Sequence, residues 1–292
     1  MNVLTFDTEE WALAKAGGYG SAAKYAEYDS YLNTILDALD ERGFKGTFFC
    51  TGLMGTDFPN VVRLIHSRGH EVGCHSFKHT WLNKMTEEEV MEDTSTSVDA
   101  LEQCVGVKIK SYRAPAFSIG KDNKWAFEIL TKCGIKRDAS IYPAERDFGG
   151  FAQFGQKCPT MVYCNNALFK EFPICTTKLW GHEMAYSGGG YFRFFPLNFV
   201  KKEMAKSDYS MFYFHIGDLI PETSGVMNKE AFEKYYKIPG TLKNRYVRYI
   251  KTNLGKKKAF EKMMELIKTE DFINLEQADK MIDWEQAPSV LL

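Results

Sequence analysis

Residues 1–11 read MNVLTFDTEEW, and this stretch joins a short β-rich run to a cluster of acids. The run at residues 3–6 is apolar, as expected of a buried strand, and it ends in Asp7, Glu9 and Glu10. Carboxylates at the C-terminal end of a parallel strand are typical of an α/β-barrel active site. On this stretch alone, an acidic surface turn or a helix N-cap explains the same acids equally well.

The same strand-length pattern recurs along the chain, each time after a glycine or another turn residue. The apolar, β-rich runs lie at residues 3–6, 46–50, 71–74, 107–112, 172–175 and 211–214. Helical periodicity separates several of them. At residues 31–42, leucine and isoleucine recur on one face, and Gly43 follows as a stop signal. Strands that alternate with helices predict a parallel α/β sheet or barrel.

Other segments have weaker or different patterns. Thr86 and Glu89 match a capping box that opens a helix running to about Cys104. Residues 123–133 also place apolar side chains on one helical face. Residues 143–168 contain glycine, proline, asparagine and aromatic residues without a steady period, so we expect long irregular loops there.

Basic residues concentrate near the C-terminus, interleaved with aromatic residues. They are Lys243, Arg245, Arg248, Lys251, Lys256, Lys257, Lys258 and Lys262. A solvated helix face is one interpretation, and a site for an anionic carrier, a nucleotide or a membrane surface is the other. We expect a basic helical region at about residues 242–292, with peripheral membrane contact through residues 243–262.

Composition limits the class of protein. The 292 residues are 45% hydrophobic and 26% charged, which predicts one globular domain over residues 1–292. A net charge of −1 gives no general attraction to nucleic acid.

Seven cysteines without CxxC spacing indicate reduced thiols, and the acidic N-terminus differs from a secretory signal. Because no run approaches about 18 apolar residues, we expect no transmembrane segment and a cytoplasmic location.

A second group of candidate site residues lies in HEVGCHSFKHTW, residues 70–81. An apolar run ends at His75, and His79 follows four residues later. If the turn between them is helical, both imidazoles face one point, as pairs of metal ligands do. Two unrelated polar residues in a turn are the alternative. His66 and His70 repeat the spacing, but they lie on and just after a predicted helix, so we interpret them as structural.

Two further polar residues follow strand-like runs. YRAPAFS, residues 112–118, places Arg113 at a strand end, where a guanidinium can hold a carboxylate at two points and keep it ionised. MFYFHIGD, residues 211–218, delivers His215, which beside a metal can act as a general acid. Taken singly, a surface arginine and a packed histidine explain the two residues as well.

Taken together and in this order, the four groups are far more specific than any one of them. TFDTE, HSFKH, YRAP and YFHIGD resemble the motifs of the polysaccharide deacetylase family, the NodB-homology carbohydrate esterases. RAPAFS, DASIYP at residues 138–143 and GGGYFRFFP at residues 188–196 look like a subgroup found with bacterial exopolysaccharide and surface-glycan loci. The resemblance covers most of the chain and extends into the basic C-terminal region.

The resemblance implies a distorted (β/α) barrel, usually of seven strands, that binds one divalent metal, commonly zinc. Carried over by position, Asp7 looks like the catalytic base, and His75 and His79 look like metal ligands. Arg113 then orients the base, and His215 is the general acid. Three aromatic residues are candidates either for stacking on sugar faces or for simple packing: Phe117, Trp180 and Tyr191.

The sequence departs from the family pattern at two places. Many members have a second aspartate, a metal ligand, at the position of Thr8. Successive strand side chains point to opposite faces, so residue 9 shares the side of Asp7, and we expect Glu9 to be the carboxylate ligand. The other departure is HIGD, where the subgroup more often continues His-Pro-Trp-Glu after the position of His215.

These expectations define a metal-dependent hydrolase that removes an acetyl group from an N-acetylated sugar of a surface-polysaccharide precursor. One alternative keeps the site but hydrolyses a cyclic amide or another C–N substrate. The other is a catalytically silent glycan-binding barrel, which Thr8 and the altered HIGD motif suggest. Retention of Asp7, Arg113 and His215 counts against a silent barrel. The oligomeric state stays open.

Overall fold

The fold is built on one nine-stranded sheet and a separate hairpin. The computed structural model describes residues 1–146, 149–165, 167–179, 181–220, 225–236 and 238–292, without the side chains of residues 234 and 235. The strands are β1 (Asn2–Thr8), β2 (Thr47–Cys50), β3 (Glu71–Cys74), β4 (Ser111–Tyr112), β5 (Arg137–Asp138), β6 (Thr160–Cys164), β7 (Ala167–Glu171), β8 (Thr176–Leu179), β9 (His182–Ala185), β10 (Ser210–His215) and β11 (Ser289–Leu291).

Helices connect and cover the strands. They are α1 (Glu10–Ala16), α2 (Ala22–Glu41), α3 (Gly52–Asp57), α4 (Pro59–Ser67), α5 (Glu87–Val105), α6 (Ala126–Lys132), α7 (Gly189–Phe194), α8 (Leu197–Met204), α9 (Ile216–Leu219), α10 (Lys229–Tyr236), α11 (Leu242–Asn253), α12 (Lys256–Thr269) and α13 (Leu275–Met281). Short 3-10 turns occur at Leu82–Lys84, Pro115–Phe117 and Ala152–Phe154. No helix in the described ranges combines the length and apolarity needed to cross a bilayer.

The sheet order confirms the predicted α/β class. It runs β10-β1-β2-β3-β4-β5-β7-β6-β11, and the first seven strands of this order are mutually parallel. β6 is antiparallel to β7 and extends the sheet beyond the seven strands that the resemblance implied, while β11 pairs with β6. β8 and β9 form a separate antiparallel pair.

Within the described ranges, no strand pairing joins β7 to β10, so strand hydrogen bonds do not close the sheet into a barrel. Residues 172–175 lie in this gap. The Tyr209 hydroxyl donates to the Pro173 carbonyl over 2.9 Å, and the Met211 amide donates to Cys175 Sγ over 3.1 Å. The chain therefore bridges the gap through single hydrogen bonds instead of a strand ladder.

Three local predictions are wrong. Residues 172–175 were predicted to be a strand, but the strand is β7, which ends just before them. Its last pair with β6 is Thr160 with Glu171, and the apolar run continues beyond that pair. Only Ser111–Tyr112 of the run at residues 107–112 is a strand. The predicted loop at residues 143–168 contains β6 and the first residues of β7, whose half-exposed side chains gave a weak apolar signal.

Helix signals were more informative. Thr86 accepts a hydrogen bond from the Glu89 amide, and the Glu89 carboxylate accepts from the Thr86 amide, so the predicted capping box opens α5. The face of α2 that carries Leu32, Ile35 and Leu36 is fully buried. Such caps and apolar faces fix the helices against the sheet.

Parallel strands place their C-terminal ends at one edge of the sheet, and this edge holds the candidate site. Asp7 is in register with His215 across β1 and β10. His75 and Arg113 directly follow β3 and β4. β1 is buried from Val3 through Thr8, as a strand covered on both faces should be.

Candidate metal centre and active site

Glu9, His75 and His79 converge on one point. His79 Nε2 lies 2.8 Å from Glu9 Oε2, and His75 Nε2 lies 3.3 Å from the same oxygen. One ligand atom from each residue falls within 4.8 Å of the others. Tetrahedral zinc with bonds of about 2.0–2.1 Å separates its ligand atoms by roughly 3.3 Å, so this spacing suits such an ion.

The hydrogen bonds of His75 also fit a metal ligand. Its Nδ1 donates to the Arg113 carbonyl over 2.7 Å, because a carbonyl can only accept. When the ring is neutral, this bond places the lone pair on Nε2, the nitrogen that faces Glu9. Neither His75 Nε2 nor Glu9 Oε2 forms a well-aligned hydrogen bond with any residue in the described ranges, although both are buried. A cation between two such acceptor atoms removes the cost of burying them unpaired.

Electrostatics keep the carboxylate ionised. Burial by itself raises the pKa of Glu9, but His79 and His75 together outweigh it and hold the pKa well below its ordinary value. Glu9 is therefore anionic at neutral pH, as a carboxylate that binds a cation must be. Thr8, by contrast, is buried in register with Cys50 of β2, which agrees with the alternation argument.

The two imidazoles converge although the turn that carries them is not helical, so the helical condition in the sequence argument was not needed. Ser76 has φ of 58° and His79 has φ of 60°, both in the left-handed region. Ala116 and Phe117, which follow Arg113, have φ of 55° and 54°. Such conformations cost about 1 kcal/mol or more each in a non-glycine residue and concentrate at functional sites. The two in the 75–79 turn accompany the approach of His79 Nε2 to Glu9.

Asp7 is held by Arg113. The Arg113 Nη1 donates to Asp7 Oδ1 and to Thr5 Oγ1, each over 2.8 Å, while Nε donates to the Ala139 carbonyl over 3.1 Å. The predicted two-point contact with the carboxylate is therefore wrong. The guanidinium contacts Asp7 through one nitrogen only. Its other hydrogen bonds go to groups on or beside neighbouring strands, and they fix the plane of the guanidinium. Its carbon also lies 4.4 Å from the Phe49 ring centre.

The charge of Asp7 follows from these contacts. Burial alone would raise the pKa of Asp7, but Arg113, His75 and His215 lower it below its ordinary value. The Arg113 side chain is fully buried, so the pair is shielded from solvent. Asp7 is therefore ionised and can accept a proton.

His215 faces both carboxylates. Its Nε2 lies 3.6 Å from Asp7 Oδ2 and 3.8 Å from Glu9 Oε1, and its Nδ1 donates to Asp218 Oδ2 over 3.1 Å. Burial lowers the pKa of His215, but the hydrogen bond and charge of Asp218 and then the charges of Asp7 and Glu9 raise it to about 10. The imidazole is therefore a cation at neutral pH.

Asp218 and its partner are functional residues that the sequence analysis missed. The Arg193 Nη1 donates to Asp218 Oδ1 over 2.8 Å, so Asp218 bridges Arg193 and His215. Burial opposes ionisation of Asp218, yet His215 and Arg193 bring its pKa down to about 2. The final aspartate of HIGD, which stands where the subgroup pattern differs, is thus part of the site.

Glu10 supports the loop behind His215. Its Oε1 accepts from the Gly217 amide over 2.6 Å, and its Oε2 accepts from the Glu9 amide over 3.3 Å. Burial and the charge of Glu9 raise the pKa of Glu10 to about 7. Glu10 therefore connects the start of α1 to α9 and lies outside the Glu9, His75 and His79 cluster.

A cavity of about 210 Å³ opens onto these groups. Its lining includes Asp7, His215, Asp218, Phe117, Arg146 and Tyr191. Phe117 is buried with its ring 5.0 Å from that of Tyr213, whereas Tyr191 is 37% exposed at the rim. Trp180, the third aromatic candidate, lies outside the described residues.

His66 and His70, which repeat the spacing of His75 and His79, lie away from the cluster. His66 is on α4. His70 is buried and its Nδ1 accepts from the Gly46 amide over 3.1 Å. Burial lowers the pKa of His70 to about 4, so its ring is neutral. The structure places both where the sequence analysis expected structural histidines.

Fold and site together define a class: an α/β protein with a Glu-His-His set at one strand edge, beside a carboxylate held by arginine and a protonated histidine. Comparison with known proteins gives the family. Residues 2–137 match the polysaccharide deacetylase model, and residues 139–280 match a domain of unknown function, DUF3473. Residues 2–137 are therefore identified as a polysaccharide deacetylase domain. The two matched regions meet at β5, inside the nine-stranded sheet.

Curated relatives align with part of the chain. A peptidoglycan-N-acetylglucosamine deacetylase of Bacillus cereus is 32% identical over 126 residues, which cover 41% of this chain and 46% of the relative. A chitooligosaccharide deacetylase of Sinorhizobium fredii is 28% identical over 120 residues, covering 39% and 53%. The aligned region thus spans about half the length of these relatives.

The fold has a counterpart among solved structures. A Mycobacterium smegmatis structure assigned to the polysaccharide deacetylases aligns with a TM-score of 0.64 at 18% identity, covering 100% of this chain and 93% of that one. This likeness shows the fold, including the part beyond residue 137.

Proposed function

We propose that the protein is a metal-dependent hydrolase that removes an acetyl group from an N-acetylated sugar of a surface-polysaccharide precursor. The observation that carries the proposal is that Glu9, His75 and His79 converge on one point beside Asp7 and His215, two proton-transfer groups that line the smaller cavity. The polysaccharide deacetylase match over residues 2–137 and the deacetylase names of the curated relatives support the same reaction.

Glu9, His75 and His79 would hold the metal, which fits a borderline ion such as zinc because two ligands are imidazoles and one is a carboxylate. A divalent cation bound there supplies a Lewis acid that polarises the acetyl carbonyl and lowers the pKa of water. His75 is kept in the correct tautomer by its bond to the Arg113 carbonyl.

Asp7 is the candidate general base. It is anionic, it borders the cavity, and Arg113 and Thr5 fix its position through one guanidinium nitrogen. In the reaction, Asp7 takes a proton from the attacking water at its free oxygen, Oδ2. The Arg113 charge keeps Asp7 deprotonated before the attack and holds it at that angle.

His215 is the candidate general acid. Its Nε2 faces the cavity between the two carboxylates, and Asp218 on Nδ1 favours the imidazolium form. A protonated Nε2 can donate to the departing amine nitrogen when the C–N bond breaks. Asp218 in turn is held by Arg193, so the acid has a fixed direction.

The size of the site supports a sugar as substrate. A cavity of about 210 Å³ can hold an acetamido group and part of a ring, with Tyr191 exposed at the rim. A second cavity of about 490 Å³ is lined by Trp81, Lys84 and Asp122, and Arg146 borders both cavities. The second cavity offers space for the rest of a glycan. We further propose a compartment in which the seven cysteines, all free thiols in this structure, stay reduced.

Metal analysis combined with acetate release tests the proposal. The purified protein is loaded with zinc, then incubated with N-acetylated and O-acetylated sugars, nucleotide- and lipid-linked N-acetylated sugars, and cyclic amides. We expect one metal per chain and acetate from N-acetylated sugars. Hydrolysis of cyclic amides alone would favour the alternative substrate, and glycan binding without turnover would identify a silent barrel.

A further inference from the structure

Helix α11 presents its apolar side to solvent. Leu242, Tyr246, Val247 and Ile250 are 65%, 54%, 43% and 59% exposed, and Leu254 just after the helix is 51% exposed. Positions 242, 246 and 250 are one turn apart, and positions 247 and 254 are two turns apart. The five side chains therefore form one stripe along the helix, which we call the α11 stripe.

The polar side of α11 faces the protein. Arg245 Nη1 donates to the Met227 carbonyl over 3.2 Å, and the Arg248 guanidinium lies 4.6 Å from the Tyr236 ring centre. No residue of α11 is buried, so the helix rests on the surface and is held by polar contacts. This is the reverse of the usual arrangement, in which a surface helix turns its apolar side to the core.

The charged residues of the segment that carries the α11 stripe all have one sign, and an acid of α10, Glu233, accepts from the Gly240 amide just before the segment. Residues 241–260 contain seven lysines and arginines and no acidic residue. The exposed lysines are Lys243, Lys251, Lys257 and Lys258. Exposed leucine, isoleucine and tyrosine flanked by lysine match an anionic bilayer surface, where acyl chains receive the apolar side chains and headgroup phosphates receive the ammonium groups.

α11 is connected to the candidate active site. The Arg193 Nη1 donates to the Thr252 carbonyl over 2.6 Å and to Asp218 over 2.8 Å, and Asp218 holds His215. Phe194, next in the chain, is 57% exposed. α11 is therefore linked to the candidate general acid through two intervening residues, Arg193 and Asp218.

We propose that the α11 stripe docks the protein on an anionic membrane surface. This inference goes beyond the proposed reaction, because it concerns where the active site meets its substrate. Docking would bring the candidate active site close to acetylated sugars that are anchored in that surface. It is tested without any catalytic assay, so its failure and the failure of the deacetylase proposal are separate results.

Vesicle flotation measures the docking directly. The full chain is mixed with phosphatidylcholine vesicles that either contain or lack phosphatidylglycerol. We expect binding to the anionic vesicles, weakened by salt, and little binding to the neutral ones. Ile250→Glu should lower the partition coefficient at least about tenfold. The change removes an apolar side chain that would be buried among the acyl chains, and it adds a negative charge that the anionic headgroups repel. Tyr246→Ser provides a second, uncharged disruption.

Met281→Glu is the matched control. Met281 is 64% exposed at the end of α13, outside the α11 stripe, so this change adds the same charge elsewhere and should leave vesicle binding unchanged. Absence of binding to anionic vesicles, or equal binding by Ile250→Glu and the unaltered chain, overturns the proposal. Self-association in sedimentation velocity that Ile250→Glu abolishes, without vesicle binding, would assign the stripe to a second copy of the chain and also overturn it.

Discussion

Replacement of Arg113 by lysine tests how the candidate base is positioned. In the native protein the buried guanidinium donates to Asp7, Thr5 and the Ala139 carbonyl on two different strand ends. A lysine ammonium keeps the charge, but its donors lie on one atom. It therefore cannot contact both the Asp7 side and the Ala139 carbonyl, which the wider guanidinium joins. We expect Arg113→Lys to retain one of the three contacts.

The magnitude follows from the two lost contacts. Hydrogen bonds to charged groups contribute about 1.5–3 kcal/mol each, so the free energy of unfolding should fall by about 3 kcal/mol or more. For 292 residues, an unfolding entropy of about 2.1 cal/mol/K per residue converts 3 kcal/mol into a fall in Tm of about 5 °C. Displacement of Asp7 should lower kcat/KM for deacetylation at least about 100-fold.

Arg137→Lys is the control for the stability effect. Arg137 is also buried and donates to Ser111 Oγ, Glu71 and Asp279, but it lies at the first residue of β5, on the edge of the sheet opposite the site. Thermal unfolding should show a similar loss in both variants, whereas acetate release should fall only in Arg113→Lys. Near-normal kcat/KM in Arg113→Lys, or an equal loss in Arg137→Lys, would refute the positioning argument.

Three further predictions concern the base, the ligands and a buried carboxyl. Asp7→Asn should abolish acetate release with metal content nearly intact, because the amide keeps the shape but accepts no proton; loss of metal would make Asp7 a ligand. His75→Ala should remove metal measured by mass spectrometry, whereas His66→Ala should keep it, and equal effects would contradict the ligand choice. Burial and the charge of Asp138 raise the pKa of Glu171 well above its ordinary value, so the native state favours its protonated form, and stability should fall as pH rises above about 4. Glu171→Gln should flatten that decline in urea unfolding, and an unchanged slope would rule out this carboxyl as its source.

The candidate site was predictable because its residues sit at strand ends. Asp7, His75, Arg113 and His215 each end or directly follow an apolar run, and parallel strands bring such positions to one edge. Alternation along the strand was enough to favour Glu9 over Thr8. Local sequence patterns therefore predicted most of the candidate site residues.

What the sequence missed depends on contacts between distant segments. The Arg113 contacts with Thr5 and Ala139 join strands far apart in the chain, and no local pattern records them. The pairing of Asp218 with Arg193 is of the same kind. These partners become visible only when the strands are in register.

The strand errors have a related cause. Residues 172–175 are apolar because they fill the gap between β7 and β10, although they form no ladder. β11 went unpredicted because its residues are largely exposed and it is defined only by pairing with β6. Burial and strand pairing usually coincide, and the predictions failed where they separate.

The sequence also did not predict which side of helix α11 faces solvent. The sequence analysis noted its basic residues and aromatic residues but not which side faces solvent. The contacts of Arg245 and Arg248 with the protein surface decide that orientation. Charge alone therefore gave two interpretations, and the exposed apolar side of α11 is the added observation on which the proposed membrane surface rests.

The central claim is that Glu9 completes a metal site with His75 and His79. Anomalous diffraction at the zinc edge, from crystals of the zinc-loaded protein, tests it most directly. We expect one strong peak within about 2.0–2.2 Å of Glu9 Oε2 and of one nitrogen from each histidine. A peak coordinated by Glu10 or Thr8 in place of Glu9, or no peak at this strand edge, would contradict it.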